Sequence, residues 1–135
     1  NSQNIKLNIT AVYTSNQTKK ILKVINEKSK VIISIFAGRA GDTGKDPVPE
    51  FLKSIKLAKN YKNVEILWAS VREPYNYTQA KQLGCHIITV PPSTIEKIEK
   101  FYSCDIKGEE TCSKIINVQP SFLKIIFFSK GCGFK

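Results

Sequence analysis

Two arginines and two hydroxyl residues raise the question of chemistry in this chain. Thr10, Arg39, Ser70 and Arg72 each stand at or just past the end of a short apolar run. Arginine grips phosphate with two parallel N–H donors. A strand that ends in a glycine loop carrying a cation, just ahead of a helix, is how α/β folds build anion sites. Residues 31–47, VIISIFAGRAGDTGKDP, have that form. An apolar run from Val31 to Phe36 breaks into Gly38, Arg39, Gly41, Asp42 and Gly44. Asp46-Pro47 then reads as a helix cap followed by proline at the first helical position. Ser70 stands just before a second helix start, where unpaired backbone amides would add donors. The set suits a small phosphorylated substrate. For each arginine alone, a solvated surface position is the ordinary explanation.

Other chemistries fit less well. A nucleotide phosphate loop needs four residues between its glycines and then Lys-Ser/Thr. Here five residues separate Gly38 from Gly44, and Lys45 is followed by Asp46. No GxGxxG follows the first strand candidate, and no Gly-x-Ser-x-Gly is present. Cys85, Cys104, Cys112 and Cys132 fit neither a CxxC pair nor a zinc knuckle, and His86 is the only histidine. No metal and no cofactor are expected, and the cysteines read as free thiols in a reducing compartment.

The elements that must position the rim residues follow a repeating pattern. Ile5 to Tyr13 reads as a strand in which Asn8 and Thr10, two apart, point to one side. Ser15 is placed to cap a helix whose apolar side is Ile21, Leu22, Val24 and Ile25 and which ends near Lys28. The Val31 strand follows. After it comes a helix opened by Asp46, Pro47 and Glu50, with Phe51, Leu52, Ile55 and Leu57-Ala58 as its buried face. Val64 to Ala69 is the third strand, and a short helix from Tyr77 to Leu83 ends at Gly84, a left-handed cap. His86 to Val90 is the fourth strand. Ser93 and Glu96 form a capping box for a helix through about Phe101. The order β-α-β-α-β-α-β-α predicts parallel strands with crossover helices and a working face at the strand ends. After Phe101 no clear period remains. Phe122 to Phe128 is strand-like, and an edge strand, a partner-binding segment and a junction artefact stay open as its explanation.

The chain has 135 residues, of which 41% are hydrophobic and 24% charged, so one domain with a packed core is expected. No run approaches the roughly 20 apolar residues of a membrane span. Nothing at residues 1–8 resembles a signal peptide, and a cytoplasmic location is expected. Lys plus Arg number 21 against 11 acids, a net charge of +10, which points to phosphate in some form. The lysines are scattered along helix faces without an aromatic ladder, so nucleic acid is disfavoured as the partner.

Four blocks carry a specific resemblance: Leu7 to Tyr13 (LNITAVY), Ser34 to Arg39 (SIFAGR), Trp68 to Pro74 (WASVREP) and Gly84 to Pro91 (GCHIITVP). In order and spacing they resemble the second half of the transaldolase and fructose-6-phosphate aldolase family, over roughly residues 4–101. The resemblance implies a (β/α)4 half of a TIM barrel over residues 1–101, its last four strands, with an irregular tail over 102–135. It implies that Thr10 helps hold a catalytic water, that Asn8, Ser34 and Phe36 line the sugar site, and that Arg39, Ser70 and Arg72 bind the substrate phosphate. The family moves a three-carbon dihydroxyacetone unit between sugar phosphates, or cleaves it off, without a metal.

The family's Schiff-base lysine lies on strand four, which would precede Asn1. Lys6, Lys30 and Lys45 do not replace it by position. The chain alone is therefore expected to bind but not to make the covalent bond. Two alternatives stand beside this reading: a non-enzymatic sugar-phosphate binder and a basic RNA-binding protein. A half barrel leaves open edges and a bare inner layer, so homo-oligomerisation or pairing with an N-terminal half is expected.

Overall fold

The computed structural model describes residues 6–104 and 124–127. Four strands alternate with helices as the sequence predicts: β1 (Lys6–Val12), β2 (Lys30–Phe36), β3 (Val64–Ala69) and β4 (Ile87–Val90). All pair in parallel in the order β1-β2-β3-β4. Helices α1 (Ser15–Val24), α3 (Val48–Ala58), α4 (Tyr75–Leu83) and α5 (Pro92–Cys104) supply the crossovers and the final layer. This is the architecture of a partial (β/α) barrel.

The main core lies between the sheet and its helices. Val31, Ile33, Ile35, Ile66, Trp68, Ile88 and Val90 form one apolar side of the sheet. Leu22 of α1, Phe51 and Ala58 of α3 and Ala80 of α4 pack against it, all buried. Phe51 stacks on Trp68 with ring centroids 4.4 Å apart. The opposite face carries a smaller cluster: Leu67, Ala69 and Ile87, buried, with Ile32 and Phe36 half-buried around them. Residues on both faces are apolar because both faces of these strands are covered, the usual state of parallel sheet.

Several local expectations need correction. The cap of α1 is Thr14, not Ser15. Its hydroxyl accepts from Gln17 N–H, and the Gln17 side chain accepts from Thr14 N–H in return. Ser15 is the first helical residue, and its N–H donates instead to Glu50 of α3. Helix α1 ends at Val24, where Ile25 turns extended. Val24 is 82% exposed and Leu52 of α3 is 52% exposed, so neither belongs to the buried faces. Buried polar side chains help join those helices: Thr18 and Ser54 share a 2.9 Å hydrogen bond across α1 and α3.

The glycine stretch after β2 is not all turn. Ala37–Asp42 forms a short helix, α2, and the turn comes at Gly44, with φ 76°. Asp46 accepts from Val48 N–H, and the cap position is Pro47, one residue later than expected. Gly84 caps α4 with φ 72°, as predicted. His86 serves strand pairing: its Nδ1 accepts from Ile66 N–H at 3.0 Å, and its own N–H donates to Ile66 O.

The stretch expected to be an irregular tail contains a fifth strand. Lys124–Phe127, β5, pairs in parallel with β4, so that Ile87 faces Lys124 and Val90 faces Phe127. Of the open readings for the sticky run, the edge strand is the one observed over these four residues. Its remaining residues, like Ile5, Cys112 and Cys132, lie outside the described residues. Lys124 also forms an ion pair with Glu65 of β3.

Candidate functional site

The parallel register brings the ends of β1 to β4 to one rim. A cavity of about 450 Å³ opens there, lined by Asn8, Thr10, Ser34, Phe36, Arg39, Leu67, Ala69, Ser70, Val71, Arg72, Thr89 and Pro91. All seven residues nominated from the sequence are in that set. Leu67 and Ala69 form an apolar floor, and the polar groups sit around it.

Each wall has a local cause. On β1, Asn8 and Thr10 face the cavity by period two. The alternation then breaks: Ile9 pairs with Ile33, but Val12 pairs with Ile35. One extra residue, Ala11, is accommodated with φ 58°. This is a β-bulge. It lets Thr10 point inward and still returns Val12 to the helix-side core, where it is 3% exposed. From β2, buried Ser34 donates its hydroxyl to Asn8 Oδ1 at 2.7 Å, which fixes the orientation of the amide.

Phe36 ends β2, and its ring stacks edge-on against Tyr13 at 5.9 Å between centroids. The Arg39 guanidinium lies over the same Phe36 ring, 5.0 Å from its centre. A cation on a ring face is oriented without neutralising its charge.

Arg39 is carried by α2, and α2 is held unusually close to the end of β3. A Cβ placed on Gly38 would lie 1.7 Å from the Ser70 carbonyl oxygen and 2.8 Å from Arg72 Cγ. Only glycine permits that approach. Ser70 itself has φ 64°, a left-handed conformation that costs a non-glycine residue about 1 kcal/mol or more. The cluster of Gly38, Ser70 and Arg72 is therefore a tight junction between α2 and the loop after β3.

The amides expected to be free near Ser70 are partly used. Asn76 of α4 accepts from Arg72 N–H at 2.9 Å and from Glu73 N–H at 3.3 Å. Arg72 is also engaged at its side chain, where Nη2 donates to Asp42 at 2.8 Å. That hydrogen bond, aided by the charges of Arg72 and Arg39, holds the Asp42 carboxyl below its ordinary range. A second cavity of about 350 Å³ lies on this side, bordered by Asp42, Arg72, Glu73, Asn76 and Gln79 among others.

Thr89 was missed by sequence reading. It lies on β4 two residues after inward-facing Ile87, so period two could have found it. No lysine among the described residues lines the 450 Å³ cavity. Lys6 and Lys30 pair in register at the opposite ends of β1 and β2. Burial pushes the Cys85 thiol up to about 12, which makes it inert as a nucleophile. Among the described residues no group of His, Cys, Asp and Glu could hold a metal, and no helix is long and apolar enough to cross a membrane.

Comparison with known proteins identifies a family for the chain. Residues 1–122 match the family model described as Transaldolase/Fructose-6-phosphate aldolase. A probable transaldolase of Carboxydothermus hydrogenoformans is 38% identical over 112 residues, covering 74% of this chain and 50% of that protein. One of Nitrosopumilus maritimus is 34% identical over 100 residues, covering 72% and 43%. One of Herpetosiphon aurantiacus is 31% identical over 111 residues, covering 82% and 48%. The chain spans about half the length of these curated relatives. With a match that runs from β1 through α5, the chain belongs to the transaldolase/fructose-6-phosphate aldolase family.

Proposed function

We propose that this chain is the phosphate-binding half of a transaldolase-type site and binds a sugar phosphate at its rim. The observation that carries the reading is the convergence of Thr10, Arg39, Ser70 and Arg72 on one cavity. Two arginines there offer planar donor edges to a phosphate, and the Ser70 hydroxyl adds a further donor. Asn8 and Ser34, already bonded to each other, face the sugar hydroxyls, and the Phe36 ring backs the carbon chain. Thr10 holds the water that takes part in proton transfer. The Schiff-base amine that the family uses would come from residues outside this chain, and no lysine among the described residues lines the cavity.

The reaction assigned to the complete site is transfer or cleavage of a dihydroxyacetone unit. On its own the chain binds and does not turn over. Calorimetric titration with fructose 6-phosphate tests the binding, and Arg39→Ala and Arg72→Ala should each weaken it tenfold or more. Binding unchanged in both variants ends the proposal. Borohydride trapping with the same sugar should leave the chain unlabelled, and a lysine adduct would show that it carries a nucleophile of its own.

The β1 edge has no partner strand among the described residues, and Leu7 on it is 42% exposed. Such an edge accepts a further strand. The proposal therefore includes self-association, or pairing with a polypeptide that supplies the other strands. A monodisperse monomer in sedimentation, with or without such a polypeptide, counts against it.

A further inference from the structure

Arg72 borders both cavities, whereas Asp42 borders only the second. Asp42 therefore meets the guanidinium from the side away from the rim. Arg72 donates Nη2 to Asp42 Oδ2 at 2.8 Å and Nε to Oδ2 and Oδ1 at 3.3 and 3.4 Å. This takes the Nε/Nη2 edge of the planar group. The other edge, Nη1 with the second N–H of Nη2, keeps its donors, and that edge alone matches two phosphate oxygens. The pair is 51% and 54% exposed, where an ion pair adds little stability. Its effect is instead on orientation. Arg39, by contrast, is oriented by the Phe36 ring.

We infer that Asp42 is a positioning residue for phosphate recognition: it clamps one edge of Arg72 so that the free edge is presented to the anion in the rim cavity. Its place makes this effective. Asp42 is the last residue of α2, and Gly38 in the same helix is seated against the Ser70 backbone. The clamp thus ties Arg72 to the element that carries Arg39, and the two arginines keep a fixed separation. The inference rests on the sugar-phosphate reading above for its ligand, but not for the clamp itself.

A competing effect has the opposite sign. A carboxylate near a phosphate site repels the anion, so charge alone predicts tighter binding when Asp42 is neutralised. Positioning predicts weaker binding, because Arg72 must then be ordered at the moment of binding. In the positioning case Asp42→Asn should weaken fructose 6-phosphate binding about five- to tenfold, the weight of one long side chain left to order itself. Asp42→Glu, which can still reach the guanidinium, should recover most of it. The thermal midpoint should move little in either variant.

A ligand-free measurement accompanies the titration. The Arg72 Nε–H resonance should exchange slowly in the native chain, quickly in Asp42→Asn, and slowly again in Asp42→Glu. Equal exchange in all three overturns the inference, as does an Asp42→Asn chain that binds as tightly as the native one or more tightly. If Arg39→Ala abolishes binding while Asp42→Asn leaves it intact, the sugar-phosphate reading survives and this inference falls. If the native chain binds no sugar phosphate although Asp42 controls the Nε–H exchange, the ligand reading falls and the clamp stands.

Discussion

Gly38→Ala is the substitution that probes the junction on which the rim depends. The added methyl would lie 1.7 Å from the Ser70 carbonyl oxygen, 2.8 Å from Arg72 Cγ and 2.9 Å from the Ser70 carbonyl carbon. The first and last are backbone atoms that cannot swing aside. Restoring ordinary contact requires α2 and the β3 end to separate by about 1.5 Å, and interiors resist such shifts. Overpacking of this kind costs about 3 kcal/mol at the upper end of its usual range. Alanine regains about 1 kcal/mol of helix propensity over glycine. The net expectation is a loss of about 2 kcal/mol, or a fall of about 8 °C in the thermal midpoint of a chain this size. Gly41→Ala in the same helix is the matched control, because nothing lies within 4 Å of its added Cβ. It should be neutral or stabilising by up to about 1 kcal/mol. Calorimetric melting of the two variants gives the difference directly. The shift also separates Arg39 from Ser70 and Arg72, and misplacement by about 1 Å is enough to cost two orders of magnitude where several groups must act on one ligand. Fructose 6-phosphate affinity should therefore fall at least tenfold in Gly38→Ala and hold in Gly41→Ala. Equal melting and equal affinity in the two variants would refute the idea that this close approach organises the site.

Thr18→Val leaves the buried Ser54 hydroxyl without its 2.9 Å partner and should cost about 1–3 kcal/mol in denaturant unfolding. The double variant Thr18→Val/Ser54→Ala removes both groups and should be more stable than the single one, a non-additivity that a double-mutant cycle reads. Glu50→Gln tests the link between α3 and the start of α1. The Ser15 N–H hydrogen bond holds the Glu50 carboxyl below its ordinary range of about 4.5. A depressed carboxyl contributes stability that is present above its unfolded value and is lost as pH falls through the folded one. The native chain should exceed Glu50→Gln by about 1 kcal/mol at neutral pH, the usual worth of a helix-start acceptor. The two stabilities should converge in acid below the ordinary carboxylate range, as measured by urea unfolding across pH. Ser70→Gly relieves the φ of 64° and deletes the hydroxyl. It should melt no lower than the native chain yet bind fructose 6-phosphate less tightly, and a fall in both together would count against the hydroxyl as a ligand.

How much of this was legible in the sequence differs by element, and the differences have physical causes. The strands could be read because parallel strands covered on both faces are written as short apolar runs, as in Val31 to Phe36 and Val64 to Ala69. Asn8 and Thr10 could be assigned to one side because the bulge comes after them. Val12 could not, since nothing about Ala11 announces a left-handed residue, and only the register with Ile33 and Ile35 reveals it. The glycines of residues 38–44 were read by conformational freedom alone. Gly44 is a turn glycine on that count, but Gly38 is helical and is needed for the space it leaves beside Ser70. A sequence reports that a residue lacks a side chain, and not which of these uses the fold makes of it.

The same limit explains the partners of the rim. Arg39 and Phe36 are three residues apart, so their stacking was within reach of local reasoning. Asp42 and Arg72 are separated by thirty residues and meet only because β2 and β3 are neighbours that end at the same height, Phe36 beside Ala69. Helix α2 starts from one of those ends and Arg72 follows the other, so the register of two strands decides where a cation and a carboxylate stand. The strand β5 makes the converse point. Its composition suggested an edge strand, but its partner and direction are set by the free edge of β4 that it finds, and it lies beyond the residues matched to the family. In a closed barrel each strand has a neighbour on both sides. Here β4 takes its second neighbour from this chain's own tail, so the described sheet ends in β1 on one side and in β5, not β4, on the other.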